Sequence, residues 1–267
     1  MQVAGAVTVV TGASSGIGQA TALELGARGA TVVAVARREE RLRALVSALG
    51  GRASYLVCDV ADAGAVSAAA SRVLDEHGRI DVLVNNAGVP LHRAFLDCTV
   101  EELERVMRVN YLGTVHWMKA ALPAMVARRR GAVVNVASTA GAAPWTWEAG
   151  YSASKAAVIA LTEAVAPELA RRGVHCGWVN PGLVRTEIFS DEALRHVPRS
   201  VRRSFMEPAE VARAIATAVE KERAGVTVPR MLGLPPVVRQ VVPRLYRAGL
   251  RRTYEGTLRR DRGDVEA

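Results

Sequence analysis

Short runs of β-branched and apolar residues alternate along this chain with longer stretches rich in Ala and Leu. The runs are Val7–Thr11, Thr31–Ala36, Ser54–Cys58, Val82–Asn85, Ala132–Ala137 and Val174–Asn180, and Gly225–Val228 has the composition of a seventh. They are nearly continuous in apolar character. Strands of that kind belong to a parallel sheet covered on both faces. Between them apolar positions return at helical spacing, as in Glu39–Leu49 and Ala63–His77. The repetition predicts an α/β fold, a Rossmann-type doubly wound parallel sheet of about seven strands with helices on both faces. Residues 1–229 read as one such domain. Beyond Pro229 the composition changes, and residues 230–267 read as a basic amphipathic C-terminal extension. There Val237, Val238, Val241, Val242, Leu245, Tyr246 and Leu250 recur at helical spacing, Arg239, Arg244, Arg247 and Arg251 take other faces, and Pro243 is placed to kink the helix.

Composition narrows the function classes. With 267 residues, 50% hydrophobic and 23% charged, the chain can bury a large core and is not a disordered sequence. Cys58, Cys98 and Cys176 are far apart and odd in number, which fits a reduced, intracellular and cytoplasmic protein. The start has no basic leader, and no apolar run approaches the roughly 20 residues that span a bilayer. The net charge of +9 is uneven, because the segment from Arg223 onward holds ten arginines against four acids. No basic face interleaved with aromatics runs across the rest, so nucleic acid is not an expected partner. The extension could lie on an anionic membrane surface, or pack on its own or a partner subunit. The histidines at 77, 92, 116, 175 and 196 have no metal-ligand spacing, and no metal is expected.

The first strand runs into Thr11-Gly12-Ala13-Ser14-Ser15-Gly16-Ile17-Gly18, followed by a helix. Glycines there let a backbone turn tightly against phosphates, and the helix N-terminus adds unpaired amides and a positive dipole end. The spacing GxxxGxG departs from the common GxGxxG. The second strand ends in Val35-Ala36-Arg37-Arg38. The acid that would bond a ribose 2′-hydroxyl is missing. Arg37 and Arg38 offer guanidiniums for a 2′-phosphate instead, pointing to NADP, unless they merely start a solvated helix.

After the fifth strand come Ser138 and, thirteen residues on, Tyr151, then Lys155. Tyr and Lys at i and i+4 share a helical face, and an ammonium favours the phenolate of a neighbouring Tyr. Ser138 can hydrogen-bond a carbonyl or hydroxyl oxygen. The ordered set Thr11–Gly18, Asp59, Asn85-Asn86-Ala87-Gly88, Asn110, Ser138, Tyr151/Lys155 and Asn180-Pro181-Gly182 resembles the short-chain dehydrogenases/reductases over roughly residues 5 to 229. That resemblance implies the rest of the site. Tyr151 would be the acid in reduction and the base in oxidation. Lys155 would lower its pKa and hold ribose hydroxyls. Ser138 would orient the reacting oxygen, and Asn110 would hold a water of the proton relay. Gly12, Ser14, Ser15, Gly16, Ile17 and Gly18 would cradle the pyrophosphate, and Asp59 with Val60 the adenine. Asn86, Ala87 and Gly88 would line the cleft, while Pro181, Gly182, Val184 and Thr186 would flank the nicotinamide.

On the substrate side, Trp145 and Trp147 precede Tyr151, and Ile188, Phe189, Leu194, Val197, Phe205 and Met206 follow Thr186 where the family has a lid. Trp145, Trp147 and Phe189 suggest a large apolar substrate, although one Trp could equally pack against the fold. The expected function is interconversion of a ketone or aldehyde with an alcohol. A catalytically silent nucleotide-binding regulator on the same fold is the rival, and it would be expected to lose Asn110, Ser138, Tyr151 and Lys155. An epimerase or dehydratase would need a longer C-terminal domain. The family's Gly-rich last strand and short tail are absent here, so the resemblance implies a homo-oligomer, dimer or tetramer, without fixing which. A dimer would pair through the helices holding Asn110 and Tyr151.

Overall fold

The computed structural model describes residues 1–188 and 205–261. Seven strands form one parallel sheet in the order β3-β2-β1-β4-β5-β6-β7. They are β1 (Val7–Thr11), β2 (Thr31–Ala36), β3 (Ala53–Val57), β4 (Val82–Asn85), β5 (Gly131–Val136), β6 (Val174–Pro181) and β7 (Gly225–Val228). β1 pairs with β2 on one side and β4 on the other, so the order of addition reverses between them. In such a sheet the crevice beyond the strand C-termini at that point is the natural ligand site.

Two packed layers explain the apolar strands. On one face lie α1 (Gly16–Ala27), α2 (Glu39–Leu49) and α8 (Pro208–Glu220), with Val10, Val32, Ala34, Val134 and Val179 of the sheet packed into the same core. On the other lie α3 (Ala63–His77), α5 (Gly113–Ala127) and α7 (Ala149–Ala170), against Val7, Val9, Val33, Val35 and Val133. Adjacent residues of one strand therefore enter opposite cores, and each fully buried Val contributes about 1.5–3 kcal/mol. α2 and α3 occupy the ranges read from periodicity. The Asp62 carboxylate accepts from Ala65 N at 2.9 Å to cap α3, and Gly78 at φ 70° ends it.

The remaining elements surround the strand C-termini. α4 (Val100–Met107), with a Thr99/Glu102 capping box, passes through a π turn at Arg108–Leu112 into α5. The short α6 (Thr139–Ala142) precedes α7. After β7, a 3₁₀ turn at Arg230–Gly233 leads to α9 (Leu234–Val241) and α10 (Pro243–Asp261). Val242 leaves helical geometry at φ −130°, so the expected kink before Pro243 is a full break between two helices.

Candidate active site

The turn after β1 is built around contacts that leave no room for side chains. Gly12 has φ 67°, and a Cβ on it would stand 2.9 Å from Ala87 Cα. A Cβ on Gly18 would collide with Gly12 O and the Asn86 amide. Thr11 Oγ1 accepts from the backbone amides of Asn86 (2.9 Å) and Ala87 (3.0 Å), and Asn86 Nδ2 donates to Thr11 O at 2.9 Å. These bonds lash the end of β4 to the end of β1, and Gly12, Ser14, Ser15, Gly16, Ile17, Asn86, Ala87 and Gly88 line one continuous cleft. Ser15, at the N-cap of α1, makes no side-chain cap hydrogen bond. The amides and positive dipole end of the first turn are therefore available to an anion.

The two arginines after β2 differ in role. Arg38 reaches across the turn, donating to Ser14 Oγ through Nε and Nη2 (3.1 Å each) and to Ser15 Oγ at 2.6 Å. Arg37 stands at the rim and pairs with Asp59 Oδ2 at 3.5 Å. Asp59 is not a helix cap; its other oxygen accepts from Ala61 N at 3.0 Å. Glu187 pairs with Arg38 at 2.8 Å and also with Arg41, which holds its carboxyl below the usual range through those two hydrogen bonds. With hydroxyls, guanidiniums and helix amides converging, this end of the cleft fits a nucleotide pyrophosphate and a further phosphate on the ribose.

Ser138, Tyr151 and Lys155 meet beyond the C-terminal end of β5. Ser138 caps α6, its Oγ accepting from Ala140 N at 3.1 Å. Tyr151 and Lys155 rise from the first turns of α7, and all three line the cleft. Burial raises the Tyr151 hydroxyl above its ordinary value, the Glu148 carboxylate adds to this, and a hydrogen bond with Ser138 opposes it. Burial pushes Lys155 down to about 8. Its Nζ donates to Val136 O at 2.9 Å and lies 5.9 Å from the Tyr151 ring centroid. The sheltered phenol is thus held protonated at neutral pH, the form a proton donor needs.

Asn110 sits in the π turn, fully buried. Its Oδ1 accepts from Val89 N (2.8 Å), and its Nδ2 donates to Val89 O and Ser154 Oγ (3.0 Å each). It pins the loop after β4 to α7 at Ser154, next to Lys155 and three residues from Tyr151. The π turn supplies this reach, because the extra residue per turn re-aims a side chain that a regular helix would carry elsewhere. Pro181, Gly182, Val184 and Thr186 line the cleft after β6, as does Val60 after β3.

At the far end the cleft, about 810 Å³ in volume, is walled by Val89, His92, Trp145, Leu232, Pro235 and Tyr246. Trp147 is not among its lining residues. Its ring packs 5.8 Å from that of Tyr254 in α10, and its carbonyl accepts from Arg93 N at 2.8 Å. Its φ of 66° is in the left-handed region, unusual for an aromatic residue. Phe189 lies outside the described residues, as do Leu194 and Val197. Met206 is buried and Phe205 partly so; neither lines the cleft.

Two features of the wall had no signal in the sequence. His92 Nδ1 pairs with Glu148 Oε1 at 2.9 Å, and both line the cleft beside Tyr151. The residues are 56 positions apart, and no motif joins them. The extension also closes the wall: Tyr246 Oη donates to Pro144 O, and Arg239 Nη1 donates to Ala142 O at 2.9 Å. Helical periodicity identified those helices, but not which surface they would cover.

The profile of the short chain dehydrogenase family matches residues 6–195. A 3-oxoacyl-[acyl-carrier-protein] reductase from Thermotoga maritima is 35% identical over 237 residues, covering 85% of this chain and 95% of that one. Among solved structures, a variant of actinorhodin polyketide ketoreductase with NADPH superposes with a TM-score of 0.79 at 34% identity, over 86% of this chain and 97% of that one. A 3-ketoacyl-(acyl-carrier-protein) reductase from Brucella melitensis, complexed with NADH, gives 0.78 at 26% identity, over 85% and 99%. With the nucleotide turn, the Ser138/Tyr151/Lys155 cluster and these likenesses in agreement, the chain belongs to the short-chain dehydrogenase/reductase family and is an oxidoreductase of the kind that works at C=O and CH–OH groups with a nicotinamide cofactor.

Proposed function

We propose that this chain is an NADP(H)-dependent carbonyl reductase, reversible as an alcohol dehydrogenase, whose substrate is a bulky apolar ketone or aldehyde. The observation that carries the cofactor choice is Arg38. It is held over the phosphate turn by Ser14 and Ser15, while β2 ends without an acid. The NADPH of the polyketide ketoreductase neighbour agrees with this, and the names of two relatives put their chemistry at a ketone. When bound, the nicotinamide supplies or takes the hydride.

The chain's own residues handle the proton and the oxygen. Ser138, held extended at the end of β5, hydrogen-bonds the carbonyl oxygen and fixes its place beside the Tyr151 hydroxyl. Tyr151 gives that oxygen its proton as negative charge develops there. Lys155 keeps a positive charge behind the ring, which stabilises the phenolate left after transfer. Asn110 holds the backbone at Val89 against α7, so that the wall and the proton donor keep one geometry. Trp145, Leu232, Pro235 and Tyr246 favour an apolar substrate body by excluding water. Pairing of two copies through the faces of α4, α5 and α7 goes with this reading.

The test is a panel of ketones and aldehydes followed by NADPH absorbance. Turnover of apolar members, lost in Tyr151→Phe, is expected. A protein that binds NADPH yet turns over none of them would favour a nucleotide-binding regulator instead.

A further inference from the structure

The inward side of the C-terminal extension walls the cleft, and of its exposed apolar side chains only Met231 shares in that wall. Met231, Leu234, Val237, Val241, Val242 and Leu245 are 46–77% exposed. α9 sets Leu234, Val237 and Val241 at i, i+3 and i+7, on one side, while Pro235 and Leu232 face the cleft. Scattered apolar residues are ordinary on a protein surface, but six within one short stretch are not. The same segment, residues 230–261, carries eight arginines against Glu255 and Asp261. Arg230, Arg244, Arg247 and Arg252 are exposed, and Arg251 pairs with Glu255.

We propose that this lip docks on the surface of an anionic lipid bilayer, with the apolar side chains of α9 and the break at Val242 entering the acyl boundary and the arginines meeting headgroup phosphates. Charge selects this occupant over a second copy of the chain. A two-fold pairing would set the same arginines against each other, and like charges across an interface are unfavourable. The docking is peripheral: among the described residues no helix is long and apolar enough to cross a membrane. α9 is only about 12 Å long, the scale of a segment that lies in the interface plane. Because Met231 and Leu232 belong to both the lip and the cleft wall, the mouth of the cleft then faces lipid, and the apolar carbonyl compound enters from the bilayer. That last clause rests on the proposed activity; the docking itself does not.

The experiment is sedimentation of the full chain with vesicles of phosphatidylcholine alone and of phosphatidylcholine with phosphatidylglycerol, with light scattering in parallel. Binding to the mixed vesicles alone is expected, weakening as salt is added. Val237→Asp with Val241→Asp, and separately Arg244→Glu with Arg247→Glu, should each weaken it about ten-fold or more. These side chains line no part of the cleft, so NADPH fluorescence and melting should stay unchanged and show that the variants fold. Failure of the full chain to sediment, equal binding to neutral vesicles, or undiminished binding by the aspartate variant would overturn the proposal. A dimer that the aspartate variant splits, with no vesicle binding, would assign the face to a second copy. None of these outcomes depends on turnover, so loss of the carbonyl-reductase reading would leave the docking result standing.

Discussion

The ammonium of Lys155 lies 5.9 Å from the centroid of the Tyr151 ring, one helical turn along α7, with Lys155 buried and Tyr151 half-buried in the wall of the cleft. Burial, and not this ammonium, governs the phenol. The hydroxyl stands above its ordinary value, with desolvation the largest cause and Glu148 the next. Tyr151 is thus suited first to giving a proton. Tyr151→Phe should lower NADPH-dependent reduction by about 10²–10⁴-fold, the usual span for a general acid. NADPH affinity should change little by fluorescence titration; a variant with near-normal kcat would remove the proton-donor role.

Lys155 is costly to the fold. The folded side chain loses its proton near pH 8 and the unfolded one near 10.5, a difference of about 3 kcal/mol. Between those values the unfolded chain binds more protons, so stability rises with pH across that window and the full penalty is present below it. Lys155→Met should therefore abolish reduction and yet stabilise the protein by about 1–2 kcal/mol at neutral pH, after loss of the bond to Val136 O. Urea denaturation checks this. A destabilised variant would mean that the ammonium is better solvated than its burial implies.

Arg38 and Glu187 would act on a ribose 2′-phosphate in opposite ways, the first as a cation that binds it and the second as a carboxylate that competes with it for Arg38. Arg38→Ala should weaken NADPH about ten-fold or more and leave NADH nearly unaffected, since a charge-assisted bond contributes about 1.5–3 kcal/mol. Glu187→Gln should do the reverse and tighten NADPH a few-fold, by freeing Arg38 and Arg41 from their carboxylate. Paired titrations with both cofactors read the two effects. Equal losses for NADH and NADPH in Arg38→Ala would move the phosphate elsewhere.

The N-terminal end of the strands, opposite the cleft, is expected to set acid stability. Asp81, at the start of β4, accepts from Val7 N at 2.9 Å and pairs with Arg79 (2.8 Å) and Arg128 (3.0 Å). Desolvation would raise its pKa, but these bonds together hold it below the ordinary carboxylate value. The stability it contributes is present above the unfolded value near 3.8 and is lost as pH falls through the lower folded one. Asp81→Asn should cost about 2–3 kcal/mol at pH 7 and flatten the acid limb of a melting-temperature profile. An unchanged limb would show that other carboxylates govern it.

Periodicity and glycine spacing were enough for the framework, because both depend on local geometry. A parallel strand with helices on both sides is apolar at nearly every position, so β1, β2 and β5 announce themselves. A backbone that must pass Gly12 and Gly18 closely excludes a Cβ whatever surrounds it. The Tyr151/Lys155 pair was legible for the same reason, since four residues on a helix are neighbours without any tertiary fold. The functional reading of that pair came from the order of motifs around it.

Where side chains meet across loops, the sequence alone determined less. Trp145 and Trp147 look alike in it, yet one walls the cleft and the other packs against Tyr254, because the left-handed backbone at Trp147 turns the second ring away. The sequence offers Asn110 as the holder of a relay water, and the fold adds what it does not show, bonds from the side chain to Val89 and Ser154. Arg38 was legible as a cation near a phosphate, but its grip on Ser14 and Ser15 and the presence of Glu187 depend on β6 delivering a distant residue to the turn. The basic helical extension was apparent as such; that its inner side would join the cleft wall through Tyr246 and Pro144 was decided only by the fold. Local periodicity states what an element is, whereas its partner depends on contacts about a hundred residues apart, which leave no pattern in one chain.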